Sequence, residues 1–221
     1  MERFFVYQGK QGKEVRGQDD VFMIIADSHL SLMHGDFSGM TTVSLRGAHL
    51  SHVASYLTSV DLSRYEAVVL LVGGNDLAGR SNPAKDVAAR LMDVVKWLQE
   101  KWAGLKVVTG SSVPRELRSY NKVKPQDFIK NAVALDKCIL KVSGHHYHLK
   151  FLNCFLYEGE KGLQLIYQLY NNHELWKTHL NEAGRIVFKG VINVMVEALI
   201  FDSWQTMQIY TPMGPKSVMW V

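Results

Sequence analysis

The sequence predicts an α/β fold in three layers, with a doubly wound parallel sheet covered by helices on both faces. Short apolar runs alternate with longer segments of helical periodicity, which is typical of βαβ units. The apolar runs are continuous, as expected for strands that are buried on both faces. With 221 residues, of which 47% are hydrophobic and 21% charged, the chain is long enough for one such domain.

Five strands and four long helices follow from these patterns. The predicted strands are Val21–Ile25, Thr41–Leu45, Ala67–Val72, Leu105–Thr109 and Leu149–Asn153. The helices are predicted at about residues 48–58, after Asn82-Pro83, from Pro125, and over Glu182–Phe201 behind Asn181 as the N-cap. The clearest helical spacing is that of Val87, Leu91, Val94, Leu98 and Trp102.

These elements place one domain at residues 21–203, between a polar N-terminal extension (1–20) and a C-terminal tail (204–221). No apolar window is long enough for a spanning helix, and the first twenty residues lack the pattern of a secretory signal. Cys138 and Cys154 have neither disulfide-framework nor metal-ligand spacing. We therefore expect an intracellular, cytoplasmic protein with free thiols.

Four residues with chemistry stand beside predicted strand and helix ends. Ser28 follows the first strand, Gly47 the second and Asn75 the third, while His179 precedes the last helix. Ligands of open parallel sheets bind at the carboxyl ends of the strands. A hydroxyl with an imidazole as base, and amide donors for an oxyanion, are what acyl transfer requires. A helix cap for Ser28 and a turn for Asn75 are the structural alternatives.

In order and spacing these segments resemble the SGNH hydrolases, also called GDSL esterases and lipases. The matching blocks are Ala26-Asp27-Ser28, Gly47, Gly73-Gly74-Asn75-Asp76, and His179-Leu180 with Gly184. The resemblance implies a flavodoxin-like sheet of five parallel strands in the order 2-1-3-4-5. It also implies Ser28 as nucleophile, His179 as general base, and an oxyanion hole formed by the Ser28 and Gly47 amides and the Asn75 side chain.

The chain departs from the family pattern at two positions. Ala26 stands in place of the usual glycine, and Trp176 stands where the family has an aspartate, three residues before the histidine. Such an aspartate orients the imidazole and stabilises its cation. Three alternatives remain open: Glu174 as a substitute acid, a backbone carbonyl acting on His179, or an inactive site.

Two functions of different classes are consistent with this pattern. The first is a serine esterase without cofactor or metal that cleaves small acyl esters, acetyl or short lipid. The second is a catalytically weak or inactive SGNH-like module that binds RNA, protein or a lipid surface. The net charge of +4 and a basic run motivate the second, and that run offers Arg115, Arg118, Lys122 and Lys124 to RNA or an anionic surface.

Two further features of the sequence contain residue types that occur in functional sites. The His145-His146-Tyr147-His148 cluster has no carboxylate or cysteine at usual metal-ligand spacing. Asp27-Ser28-His29, together with Pro114-Arg115, also resembles esterase-like domains that some mobile genetic elements carry. The sequence does not predict the oligomeric state.

Overall fold

A seven-stranded mixed sheet forms the centre of the protein in a computed structural model. The model describes residues 1–33, 37–78, 82–115, 124–142, 147–160, 162–171 and 179–201. The strands of this sheet are β1 (Glu2–Tyr7), β2 (Lys10–Val15), β3 (Phe22–Ala26), β4 (Met40–Leu45), β5 (Ala67–Leu71), β6 (Lys106–Gly110) and β7 (Tyr147–Leu149). Their spatial order is β1-β2-β4-β3-β5-β6-β7.

The five strands from β3 to β7 are parallel and lie in the order that the family resemblance implies. The α/β class is therefore confirmed, but the expected number of five strands is wrong. Residues 1–20, expected to be a polar extension, contribute two antiparallel strands through β1 and β2. The last parallel strand also ends at Leu149, where the sequence predicted its start.

The hairpin of β1 and β2 is fixed by its turn and by aromatic packing on the first helix. Gln8 and Gly9 both have positive φ, which is the conformation of a two-residue type I′ turn. The Phe5 ring stacks on Tyr56 with centroids 5.5 Å apart. The Tyr7 hydroxyl donates to the Ser55 carbonyl over 2.6 Å. Only every second residue of β1 packs in this way, since Phe4 and Val6 are exposed.

The helices follow the parallel strands as crossover connections. They are α1 (Leu50–Thr58), α2 (Gly74–Leu77), α3 (Ala84–Lys101), α4 (Pro125–Val142) and α5 (Glu182–Phe201). The crossovers through α1, α3 and α4 all advance in the same direction across the sheet, so right-handed connections place them on one face. α3 packs against both α1 and α4, whereas α5 places Phe188 against Phe151 and Phe155, in the segment after the last parallel strand.

Two helices match their predicted patterns closely. The apolar positions predicted for α3 are buried, and its last predicted residue, Trp102, is the C-cap. α5 has the predicted bounds, and the Asn181 side chain accepts the Gly184 N–H over 3.0 Å. Asn181 is therefore the N-cap, as expected.

A buried polar cluster holds β7 against β6 and α4. The Ser111 hydroxyl donates to Asp136 over 2.6 Å, and Asp136 lies 3.1 Å from His148 Nε2. The other His148 nitrogen is 2.8 Å from the Thr109 hydroxyl. His148, part of the histidine cluster noted above, is thus fully engaged within the sheet, while His145 and His146 lie outside the described residues.

A second, small sheet formed by β8 (Leu156–Gly159) and β9 (Gly162–Leu165) was not predicted. It leads to Tyr170, which is buried and donates its hydroxyl to the Pro114 carbonyl. In the described part of the chain neither cysteine forms a disulfide. Across the same residues, no helix has the length and apolar character needed to cross a membrane.

Candidate active site

The loop after β3 carries the predicted nucleophile. Ser28 is half-buried, and its carbonyl accepts the Ser31 hydroxyl over 2.6 Å and the Ser31 amide over 3.2 Å. These contacts wind the loop into a short 3₁₀ turn at Leu30–Leu32. The Ser28 side chain therefore stands at the carboxyl end of a strand that is buried along its whole length.

Asp27 and His29 flank Ser28 and interact with each other. The Asp27 carboxylate accepts the His29 backbone N–H over 3.1 Å, and its Oδ1 lies 3.9 Å from His29 Nδ1. The His29 side chain is 1% exposed and that of Asp27 16%. The conformation of the nucleophile loop is thus fixed from within by a carboxylate.

Asn75 connects the loops that follow β4, β5 and β6. Its Nδ2 donates to the Ala48 carbonyl over 2.9 Å, and its Oδ1 accepts from Arg115 Nη2 over 2.8 Å. A guanidinium has donors only, so this contact fixes which end of the carboxamide faces Arg115. One N–H of the Asn75 amide remains after the bond to Ala48.

Arg115 lies in the site and not on the surface. Its side chain is 6% exposed, its Nη1 is 3.6 Å from Asp27 Oδ2, and its guanidinium lies 5.7 Å from the centroid of the Phe128 ring. The expectation that Arg115 contacts RNA from the surface is therefore wrong. The rule that ligands sit at strand ends applies to the loop after β6 as well, and could have identified this residue.

Of the remaining residues of the expected basic surface, the structure describes Lys124. Lys124 is exposed immediately before α4, while Arg118 and Lys122 lie outside the described residues. An anionic partner would have to be bound by residues other than Arg115.

Gly47 lies in the turn between β4 and α1 with φ of +64°. A Cβ there would have only Lys10 Nζ near it, at 4.0 Å, so backbone conformation and not space favours glycine. The next helix is fixed by the buried Asp76, which accepts the Leu50 N–H over 2.9 Å and lies 3.5 Å from Arg90. Asp76 therefore has a structural role beside Asn75.

His179 stands directly before α5 and beside the nucleophile loop. Its carbonyl accepts the Asn171 N–H over 3.0 Å, and its ring contacts the His29 ring edge-on with centroids 6.0 Å apart. Because His29 is adjacent to Ser28 in the chain, the imidazole and the predicted nucleophile lie at the same edge of the sheet. Glu174 and Trp176 lie outside the described residues.

The position of His179 depends on a close approach of two backbones. A Cβ on Gly184, in the first turn of α5, would overlap the carbonyl oxygen of Leu169. Leu169 in turn accepts the Asn181 N–H over 3.0 Å. Glycine at this position, part of the last family block, lets α5 approach the segment that holds His179.

Among the residues of the candidate site, the Asp27 carboxyl has a pKa that departs from its ordinary value. Burial raises its pKa, but the nearby His29, Arg115 and His179 and the hydrogen bond from the His29 amide together lower it below the usual value. Asp27 is thus ionised at neutral pH. In the described segments, no group of three or more His, Cys, Asp and Glu side chains could hold a metal ion.

Taken in order, these contacts join all four predicted site residues. The path runs from Gly47 and Ala48 through Asn75 and Arg115 to Asp27 and Ser28, and from there through His29 to His179. Sequence reasoning missed Arg115 and assigned no role to Asp27 or His29.

No family model matches the chain, and no curated protein matches it. Several solved structures do match the chain. A GDSL-like lipase from Bacteroides thetaiotaomicron has a TM-score of 0.66 and 14% identity, over 82% of this chain and 90% of that one. The esterase EstA from Pseudoalteromonas sp., inhibited by monoethylphosphonate, has a TM-score of 0.55 and 14% identity, over 82% and 100%. The C-terminal domain of Drosophila Oskar has a TM-score of 0.61 and 14% identity, over 80% and 88%. The resemblance found in the sequence is thus confirmed at the level of architecture, and the chain has the fold of the GDSL-like lipases and esterases.

Proposed function

We propose that the protein is a serine esterase that hydrolyses small acyl esters, acetyl or short lipid, through an acyl-enzyme. The observation that carries this proposal is the set of contacts that link Ala48, the neighbour of Gly47, to Asn75, Arg115 and the Ser28 loop, and that loop to His179. Ordinary helix caps and turns do not require four distant loops to meet at one sheet edge. The shared fold with esterases adds support.

In the proposed mechanism, His179 takes the hydroxyl proton of Ser28 as the oxygen attacks the ester carbonyl. The carbonyl oxygen becomes an oxyanion, which accepts hydrogen bonds from the Ser28 and Gly47 amides and the second N–H of Asn75. His179 then gives its proton to the departing alcohol. A water molecule hydrolyses the acyl-enzyme by the same route and restores the Ser28 hydroxyl.

Glu174 is the substitute acid that the sequence offers close to His179. If it orients the imidazole, Glu174→Gln should lower kcat by about tenfold or more, because His179 loses the acid that orients it and stabilises its cation. The same change should leave the melting temperature within a few degrees. An unchanged kcat in Glu174→Gln assigns the orientation of His179 to another group.

Active-site labelling tests the esterase proposal directly. A fluorophosphonate probe should label the purified protein at one serine, and Ser28→Ala should abolish labelling and hydrolysis of short p-nitrophenyl esters. Ser59→Ala is the matched control, since Ser59 caps the opposite end of α1 and its hydroxyl bonds only the Tyr56 carbonyl. Labelling that persists in a folded Ser28→Ala protein would overturn the assignment.

A second candidate function is a binding module that retains this fold. It is favoured by the fold shared with the Oskar domain, alongside the esterases, and by the Trp176 substitution. For an RNA partner, affinity should fall steeply with salt because phosphate contacts release counterions. Joint charge reversal at Arg118, Lys122 and Lys124 should then weaken binding, and a protein without RNA affinity at low salt would exclude this partner.

A further inference from the structure

The residue three positions before His179 is a tryptophan, so a carboxylate that stabilises a positively charged imidazole would have to come from another position. Asp27 is a carboxylate at the same sheet edge. Two side chains lie beside its carboxylate, His29 in its own loop and Arg115 after β6, and the His29 ring in turn contacts the His179 ring before α5. These are the charged and titratable side chains that interact with Asp27 in the described residues.

The contacts place His29 between Asp27 and His179. Asp27 Oδ1 accepts the His29 amide and lies 3.9 Å from His29 Nδ1, while the His29 and His179 rings form a T-shaped pair with centroids 6.0 Å apart. The His29 side chain is almost completely buried, so the charge of Asp27 acts on both imidazoles with little screening by water. His29 also restricts how the His179 ring can turn.

Arg115 approaches the other carboxylate oxygen of Asp27 and leaves Oδ1 beside His29. Its Nη1 is 3.6 Å from Oδ2, and its second nitrogen is committed to Asn75. The positive charge of Arg115 helps to keep Asp27 ionised by lowering its pKa. The carboxylate therefore carries its charge throughout the pH range in which imidazoles titrate.

We propose that Asp27, the residue before the nucleophile, is the positioning carboxylate of this site. Its charge stabilises the cation that forms on His179 when Ser28 is deprotonated, and His29 holds the His179 ring in place. Asp27 itself neither gains nor loses a proton in the cycle: the proton moves from Ser28 to His179 and then to the leaving alcohol. This role rests on the esterase function proposed above.

The test is the titration of the His179 ring protons, followed by NMR in the full-length protein. Replacing Asp27 by asparagine removes the negative charge, so the His179 ring protons should titrate at lower pH in the variant than in the wild type. Asp27→Ser is a second variant that keeps an acceptor for the His29 amide, as serine does at helix caps. The same shift is expected. Asp86→Asn, on the exposed side of α3, should leave the titration of His179 unchanged.

Kinetics supply a second readout. In Asp27→Asn the acid limb of the kcat/KM profile should move to lower pH by the same amount, with kcat lowered tenfold or more and KM little changed. A purely structural role would lower the melting temperature without moving this limb.

Folded Asp27→Asn and Asp27→Ser proteins in which His179 titrates as in the wild type would overturn the inference. The failure of the esterase function looks different. In that case Ser28 is not labelled and esters are not cleaved, whereas the His179 titration still shifts when Asp27 is replaced.

Discussion

At the scale of single residues, the Asn75 carboxamide shows how the surroundings of a side chain decide what it can do. Arg115 occupies its oxygen and the Ala48 carbonyl takes one of its N–H groups. Only the second N–H is left for a further acceptor. The same two contacts hold the carboxamide plane fixed, as a preorganised donor to the proposed oxyanion requires.

Asn75→Ala is therefore expected to lower kcat for ester hydrolysis by roughly a hundredfold. Asn75→Asp is a sharper variant, since it keeps the contact with Arg115 but has no N–H, and should be equally impaired. Steady-state kinetics and melting curves are measured together. Asn82→Ala is the control, because Asn82 donates only to the Asp76 carbonyl. Full activity in a folded Asn75→Ala protein would limit Asn75 to a structural role.

The lowered pKa of Asp27 predicts how the free energy of unfolding changes at acidic pH. Its pKa in the folded protein lies below the ordinary value of 3.8, so the unfolded chain binds its proton at higher pH than the folded one. The stabilisation by Asp27 is therefore complete above the unfolded value and is lost as the pH falls through the folded pKa. Urea unfolding of wild type and Asp27→Asn from about pH 5 downwards should show a shallower loss in the variant. Parallel curves would contradict the shift.

At the scale of elements, the first turn of α5 joins the packing of the domain to the position of the imidazole. Asn181 caps the helix and Gly184 allows the close approach to Leu169. His179 lies two residues before the cap, so a displacement of this turn displaces the imidazole too. The helix thus supports the residue that we propose as the base.

This support can be tested with two identical substitutions in one helix. Gly184→Ala should destabilise the protein by about 1–3 kcal/mol, because the new methyl group meets the Leu169 carbonyl, and should also lower kcat. Gly190→Ala, where nothing lies within 4 Å, should stabilise it by about 0.5–1 kcal/mol. Equal effects of the two changes on unfolding free energy would rule out the close approach.

At the scale of the whole molecule, the parallel core could be predicted because its strands are apolar and its helices are regular. β3 and β5 are buried at every position, and α3 and α5 carry clear periodicity or a recognisable cap. Of the site, Ser28, Asn75 and His179 could be placed at one edge, since parallel strands end on the same side.

The remaining features depend on contacts between distant segments, which local patterns do not contain. In the sequence Arg115 belongs to a basic run, and its place in the site depends on Asn75, Asp27 and Phe128, which the fold brings around it. The hairpin of β1 and β2 combines an aromatic strand with a charged one, Lys10–Val15, and that second strand pairs with both β1 and β4.

The hairpin of β1 and β2 also determines which N-terminal truncations the protein tolerates. β4 is buried at every position and bonds β2 along one side, so its backbone groups would be open to solvent or to another chain without residues 1–16. We expect a fragment that begins at Gln18 to aggregate or form larger species in light scattering, whereas Phe4→Lys, a change at a side chain 73% exposed, should leave the full chain as it is. A monodisperse fragment with the parent melting temperature would contradict this. The residues predicted as a polar N-terminal extension thus cover the edge of the parallel strands at β4. A truncation that begins at the first apolar strand would expose that edge.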